Sequence, residues 1–182
     1  MTTQCIELQV LQVVRLVEVE ALARRWDIDF RTQIDPSLSL TCDPTSLFRI
    51  LFNLTVNAAA AVAAHGGSFV SVGVTCYKSE VRFEIRDDGP GLPDHVVGFL
   101  LPRADGIVPS GGRLGSGLIT CCALARDMAG ELRLLDTSPT GTAFRLVLPR
   151  GSTSGDPSLF TKRRCPCSGD VADHPACEHV GY

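Results

Sequence analysis

The sequence has no long run of basic residues. Its 182 residues carry 17 Lys and Arg against 20 Asp and Glu, a formal net charge of −3. Binding nucleic acid through its phosphates needs a concentrated basic face, and its absence argues against that class of partner. No unbroken stretch approaches the ~20 apolar residues that span a bilayer. The opening MTTQCIELQVLQVVRLVEVE lacks the basic region, short apolar run and small-residue cleavage site of a secretory leader. These absences give the expectation of a cytosolic chain with no membrane segment. There is no internal repeat. There is also no P-loop and no dinucleotide fingerprint, because no Lys-Ser or Lys-Thr follows the glycine clusters and no strand feeds directly into them.

The composition, 45 % hydrophobic and 20 % charged, suits one globular domain with a substantial core. Of the eight cysteines, Cys5, Cys42, Cys76, Cys121 and Cys122 sit in apolar, regularly patterned segments and read as buried free thiols of a reducing compartment. After Pro149 the patterning stops. This sets a boundary between a domain over 1–150 and a tail over 151–182. The tail holds Cys165, Cys167, His174, Cys177 and His179, all possible zinc ligands. Their C-x-C then H-x-x-C-x-H spacing fits no regular finger, and the segment has no apolar core, so a disordered tail is the competing reading.

Within the domain, residues 4–25 carry Ile6, Val10, Val13, Val14, Val17 and Ala21 at helical spacing. Residues 28–34 alternate and read as a strand. Asp43 and Pro44 form a helix start, and that helix runs to about His65 before Gly66-Gly67. SFVSVGVTCY (68–77) and EVRFEIRD (80–87) form a hairpin turning at Lys78-Ser79. Residues 92–114 are irregular and rich in Gly and Pro, with at most a short helix near 96–101. A helix over 115–130 presents Leu118, Cys121, Cys122, Ala125, Met128 and Ala129 on one face. ELRLLDT and TAFRLVLP give a last strand pair, turning at Ser138–Gly141. The fold class is α+β, a two-layer sandwich with helices stacked on one face of a sheet.

Three features bear on chemistry. In RDDGPGL (86–92), strand parity puts Asp87 in the core-facing row of Val81, Phe83 and Ile85, and Asp88 on the outer face. Side chains pointing opposite ways are poorly placed to share a proton, so an acid–base dyad is disfavoured. Asp87 either caps the amides of Gly89 or Gly91, or accepts from a ligand's amino group while the glycines let the backbone pass close by. In LFRILFNLTVNAAAAV, Asn53 and Asn57 stand one turn apart on an otherwise apolar helix. They either bond neighbouring backbone or aim amide oxygens at a hard cation such as Mg²⁺. SGGRLGSGL (110–118) places glycine N–H groups at a helix start, which favours an anion, although a flexible loop gives the same pattern.

In order, NLTVNA, DDGPGL, GRLGSGL and GTAFRLVLP resemble the ATP-binding fold shared by sensor histidine kinases, type II topoisomerases, a heat-shock chaperone and mismatch-repair ATPases. The likeness covers about residues 4–149 and is strongest to the catalytic domain of bacterial two-component histidine kinases. It implies the Bergerat fold, a mixed, mostly antiparallel sheet with helices on one face. It implies ATP and Mg²⁺ as cofactors and transfer of the γ-phosphate to a protein histidine, with a response regulator downstream. By the resemblance Asn57 coordinates the Mg²⁺ and Asn53 assists, the pair carrying the catalytic role. Asp87 accepts from the adenine amino group, Gly89 and Gly91 line the adenine pocket, and Gly115, Gly117 and Leu118 open the phosphate-facing helix. Thr142 sits by the adenine, and residues 92–114 form a lid. Hydrolysing members generally place a Glu where this chain has Asn53, which favours phosphoryl transfer over hydrolysis.

Departures from the pattern are specific. NAAAAVAA lacks the usual basic residue after the metal asparagine. Arg113 stands where a glycine is usual, either as a phosphate ligand or crowding the site. The lid is short, with Phe99 as its aromatic. No dimerisation helix pair precedes the domain, and none of His65, His95, His174 and His179 lies in a phospho-acceptor context. The expectation is therefore a fragment, or a protein that acts on a partner's histidine. The alternatives are a scaffold of the same fold that has lost ATP, and a serine kinase of the anti-sigma-factor type.

Overall fold

The structure, a computed structural model, describes residues 2–35, 39–100 and 116–150. A short strand β1 (Thr2–Cys5) leads into helix α1 (Ile6–Ala23), and strands β2 (Asp29–Ile34) and β3 (Ser39–Cys42) precede helix α2 (Pro44–His65). The hairpin β4 (Phe69–Cys76) and β5 (Glu80–Asp87) follows, then helices α3 (Asp94–Leu100) and α4 (Ser116–Asp127), then β6 (Glu131–Ser138) and β7 (Gly141–Pro149).

The main sheet has the order β2-β4-β5-β7-β6. Only β2–β4 is parallel; the other pairs are antiparallel. This is the mixed, mostly antiparallel sheet of the expectation. Helices α1, α2 and α4 pack together, with α2 against β4 and β5 and α4 against β6 and β7. The alternation of β4 and β5 drives this arrangement. Val70, Val72, Val74, Val81, Phe83 and Ile85 are all buried against the helices, while Glu84 on the other face pairs with Arg86 and Arg145.

Helix α2 is the centre of the molecule, and its ends are set by sequence. The Asp43 carboxylate accepts from the amides of Ser46 (2.9 Å) and Thr45 (3.4 Å), Pro44 occupies the first turn, and Gly66 closes the helix at φ 76°. Its Leu47, Ile50, Leu51, Leu54, Ala59 and Val62 are buried. Thr55 is buried too, and its hydroxyl donates to the Leu51 carbonyl at 2.7 Å. Over its most apolar 18 residues this 22-residue helix has a mean hydropathy of 1.6, long and apolar enough to cross a membrane by length and composition. That departs from the expectation that nothing in the chain comes near a span. In the fold it is the core helix between the sheet and the other helices.

Two strands were not legible in the sequence. β1 and β3 form a separate antiparallel ribbon, Thr2 opposite Cys42 through Cys5 opposite Ser39. At four residues each they are too short for a period to register, and the helical reading ran over Cys5. Cys42, Cys76, Cys121 and Cys122 are free thiols, with Cys42 and Cys121 fully buried and the other two half-buried. Burial first, then the Asp43 charge, pushes the Cys42 thiol up to about 11. The tail and its five possible zinc ligands, Cys165, Cys167, His174, Cys177 and His179, lie outside the described residues.

Candidate functional site

The site assembles along one face of α2. Asn53, Asn57 and Ala61 follow at successive turns and therefore line up. At the N-terminal end of the row, Asn53 lies beside the start of α4. A Cβ added to Gly117 would sit 3.9 Å from the Asn53 amide carbon, and one turn further along α4 the buried Cys121 thiol donates to the Ile50 carbonyl of α2 at 3.9 Å. At the other end, Ala61 lies beside the turn that follows β5. A Cβ on Gly89 would come within 3.3 Å of Ala61 and 2.9 Å of the Asp87 carboxylate. Between these ends stands Asn57, exposed. An exposed amide pays no burial cost and needs no protein partner; Asn53 is half-buried.

Asp87 ends the buried row Val81, Phe83, Ile85, as parity requires. It is half-buried. One oxygen accepts the Gly89 amide at 3.0 Å, which is the capped turn. Burial raises its pKa, the amides of Gly89 and Thr142 act against that, and the Asp88 charge adds to the rise. A carboxylate under-solvated in this way is well disposed to a ligand that donates to it. Thr142, 6 % exposed, is its partner across the β5–β7 ladder.

Two glycines fix the backbone around it. Gly141 (φ 150°) starts β7 so close to β5 that a Cβ would lie 2.2 Å from the Asp87 carbonyl oxygen. Gly91 (φ 80°) presses on the end of β6, where a Cβ would lie 2.3 Å from the Ser138 carbonyl oxygen. The next amide, Leu92, donates to the Thr137 hydroxyl at 2.8 Å. Residues 89–92 are thus pinned between α2 and β6, and the ends of β5, β6 and β7 meet at Asp87.

Asp88 has a role that parity missed. Its carboxylate accepts from the Ser68 amide (2.8 and 2.9 Å), the Ser68 hydroxyl (2.7 Å) and the Phe69 amide (2.9 Å). Desolvation works to raise its pKa, but the Phe69 and Ser68 bonds outweigh it, so the net shift is downward. Asp88 clamps the start of β4 to the end of β5. The signal available in sequence was a carboxylate just past one strand and a serine just before its hairpin partner.

Of the remaining candidates, Leu118 is buried in the core, so only its backbone can face a ligand. Arg113 and Gly115 lie outside the described residues. Among the described residues no group of three His, Cys, Asp or Glu could hold a metal. A cation here would be held by amide oxygen, water and the ligand's own oxygens, a donor set that suits Mg²⁺.

The sheet order, the helix layer and a carboxylate followed by pinned glycines define a Bergerat-type ATP-binding domain. The family of histidine kinase-, DNA gyrase B- and HSP90-like ATPases matches residues 42–152, and the chain belongs to that family. It is 31 % identical over 142 residues to the signal transduction histidine-protein kinase AfsQ2 of Streptomyces coelicolor, covering 76 % of this chain and 25 % of that one. It is also 31 % identical over 125 residues to the sensor histidine kinase component HK1 of Mycobacterium tuberculosis, covering 66 % of this chain and 71 % of the relative. Among solved structures, the catalytic domain of the histidine kinase ThkA superposes with a TM-score of 0.66 at 22 % identity, over 82 % of this chain and 96 % of that one. This last likeness is one of fold. The chain spans about a quarter of AfsQ2 and about seven tenths of HK1.

Proposed function

We propose that the chain is the MgATP-binding catalytic domain of a two-component histidine kinase. It donates the γ-phosphate to a histidine on another domain or protein, with a response regulator as the eventual acceptor, and it works in the cytoplasm, where ATP is supplied. The observation that carries the reading is Asp87, half-buried at the end of β5, facing Thr142 and flanked by Gly89 and Gly91. An adenine ring entering there presents its amino group to the carboxylate, and the glycine backbone admits the ring without a side chain in its way.

The other residues follow the line of α2. Asn57 offers its exposed amide oxygen to the cation, and Asn53 holds the position one turn before it, beside Gly117. The N–H groups at the start of α4, with Gly115, Gly117 and Leu118, receive phosphate oxygens, and Arg113 adds a positive charge to them. Mg²⁺, when bound, neutralises charge on the transferring phosphoryl group. Asn53 is not a base, so the chain's own residues position and orient rather than activate a water, which suits transfer to a protein side chain over hydrolysis.

Titration calorimetry with a non-hydrolysable ATP analogue, with and without Mg²⁺, tests this reading. Binding strengthened by Mg²⁺ is expected in the wild-type chain, and Asn57→Ala removes the strengthening while leaving the metal-free affinity in place. Absence of binding at millimolar nucleotide defeats the proposal.

A further inference from the structure

Strand β6 breaks its own alternation. Leu132 and Leu134 stand opposite Leu146 and Phe144 of β7 and pack against the core. Simple alternation from Leu134 would turn Thr137 to the outer face of the sheet. The register instead slips between Leu134 and Asp136, a β-bulge with Leu135 as the extra residue. Beyond the bulge Thr137 stands opposite Thr142, and Thr142 stands opposite Asp87. Directly paired residues point to the same side of a sheet. The bulge therefore brings Thr137 into one row with Thr142 and Asp87, on the side that faces the helices. Re-aiming a side chain in this way is a recurrent use of bulges beside functional sites.

From that row Thr137 reaches the segment that leaves β5. Its hydroxyl accepts the Leu92 amide at 2.8 Å, across 45 residues of chain. Gly91 leaves room for the bond, since a Cβ there would lie 3.1 Å from the same hydroxyl oxygen. Leu92 packs against the core. It carries the last backbone donor before α3, because Pro93 has none, and the Pro93 carbonyl already accepts from Val96 and Val97. At the other end of the segment the Gly89 amide donates to Asp87 at 3.0 Å. Asp87 and Thr137 thus hold the two ends of residues 89–92.

We propose, on the ATP-binding reading of the site, that Thr137 is a positioning residue placed by the bulge to hold the glycine turn in the shape that presents Asp87 to the base. Without the hydroxyl the half-buried Leu92 amide loses its acceptor, and the turn shifts to find another. The Gly89 bond to Asp87 shifts with it. The carboxylate keeps its charge but loses its fixed direction, and a hydrogen bond from a ligand's amino group depends on direction. The cation is held from α2 by Asn57, so its contribution stays as it was.

Calorimetry with a non-hydrolysable ATP analogue and its inosine counterpart tests the proposal on the wild-type chain, Thr137→Val and Thr137→Ser. Valine keeps the branched shape and strand preference of threonine but cannot accept a hydrogen bond. Thr137→Val binds the ATP analogue roughly three- to tenfold more weakly and loses part of the preference for adenine over inosine. Its strengthening by Mg²⁺ keeps the wild-type factor. Thr137→Ser retains both affinity and preference. Amide hydrogen exchange reads the bond itself: Leu92 exchanges slowly in the wild-type and serine chains and fast in the valine chain. A Thr137→Val chain that keeps the wild-type affinity and base preference overturns this proposal alone, as does a serine chain as weak as the valine one. A wild-type chain that binds no nucleotide defeats the ATP-binding reading and this proposal with it.

Discussion

Two adjacent carboxylates do opposite things to stability. Asp87 has a raised pKa, burial being the main cause. A carboxyl whose folded pKa lies above its unfolded value favours the fold below the unfolded pKa, and that advantage is lost as pH rises through the folded pKa. At neutral pH the ionised Asp87 is therefore a burden on the unliganded fold, of a kind that a binding site tolerates. Asp87→Asn is expected to leave the melting temperature of the nucleotide-free chain unchanged or raise it at pH 7, with the advantage gone below the ordinary carboxylate range. A thermal melt series across pH checks this, and a clear loss of stability at pH 7 contradicts it. Asp88 is the reverse case. Its pKa is lowered by the Phe69 and Ser68 bonds against desolvation, so its contribution is present above the unfolded pKa and fades as pH falls through the folded one. Asp88→Ala removes the acceptor of the exposed Ser68 amide and the half-buried Phe69 amide and is expected to cost roughly 0.5–1.5 kcal/mol at pH 7. Denaturant unfolding measures that loss, which shrinks in acid.

At the scale of elements, the segment 89–92 matters most, because it is held from both sides. Gly91→Ala would set a Cβ 2.3 Å from the Ser138 carbonyl oxygen at a φ of 80°. The turn must then lift off β6, at a cost above about 1 kcal/mol. The expected result is loss of nucleotide affinity together with stability, followed by calorimetry and thermal melts on the same variant. The elements also show what a sequence makes legible. α2 was readable to the residue because Asp43, Pro44 and Gly66 mark its ends by local chemistry. β4 and β5 were readable because eight residues of alternation leave little ambiguity. β1 and β3 were not, since each is four residues long and stable only as the other's partner, an interaction that no local pattern records. α4 was expected to run to Gly130 and stops at Asp127, with Ala129 at φ 55°. Gly130 is there for close approach, its position allowing no Cβ beside the Val147 carbonyl oxygen.

For the whole molecule, the fold and the line of site residues came from the same features. The apolar stripe that makes α2 a core helix also leaves Asn57 on an exposed face, with Asn53 half-buried one turn before it. Strand parity that buries Phe83 also brings Asp87 to the mouth of the core. What parity could not supply was Asp88's grip on Ser68 and Phe69, because the side chain turns beyond the strand end. Nor could it show the exposure of Asn57, since exposure depends on which helices come to lie beside α2. Family membership joins these parts to an ATP-binding activity, and the base-recognising role proposed for Asp87 is where that activity is most open to test.

The most direct measurement replaces the adenine amino group with an oxo group. Calorimetry would compare a non-hydrolysable ATP analogue with its inosine counterpart, on the wild-type chain and on Asp87→Asn. If Asp87 receives the amino group, the exchange sets an acceptor against a carboxylate and costs the wild-type chain about 1.5–3 kcal/mol, roughly ten- to a hundredfold in affinity. Asp87→Asn, whose amide can also donate, loses most of that discrimination. Equal affinity of the wild-type chain for the two nucleotides would contradict the account.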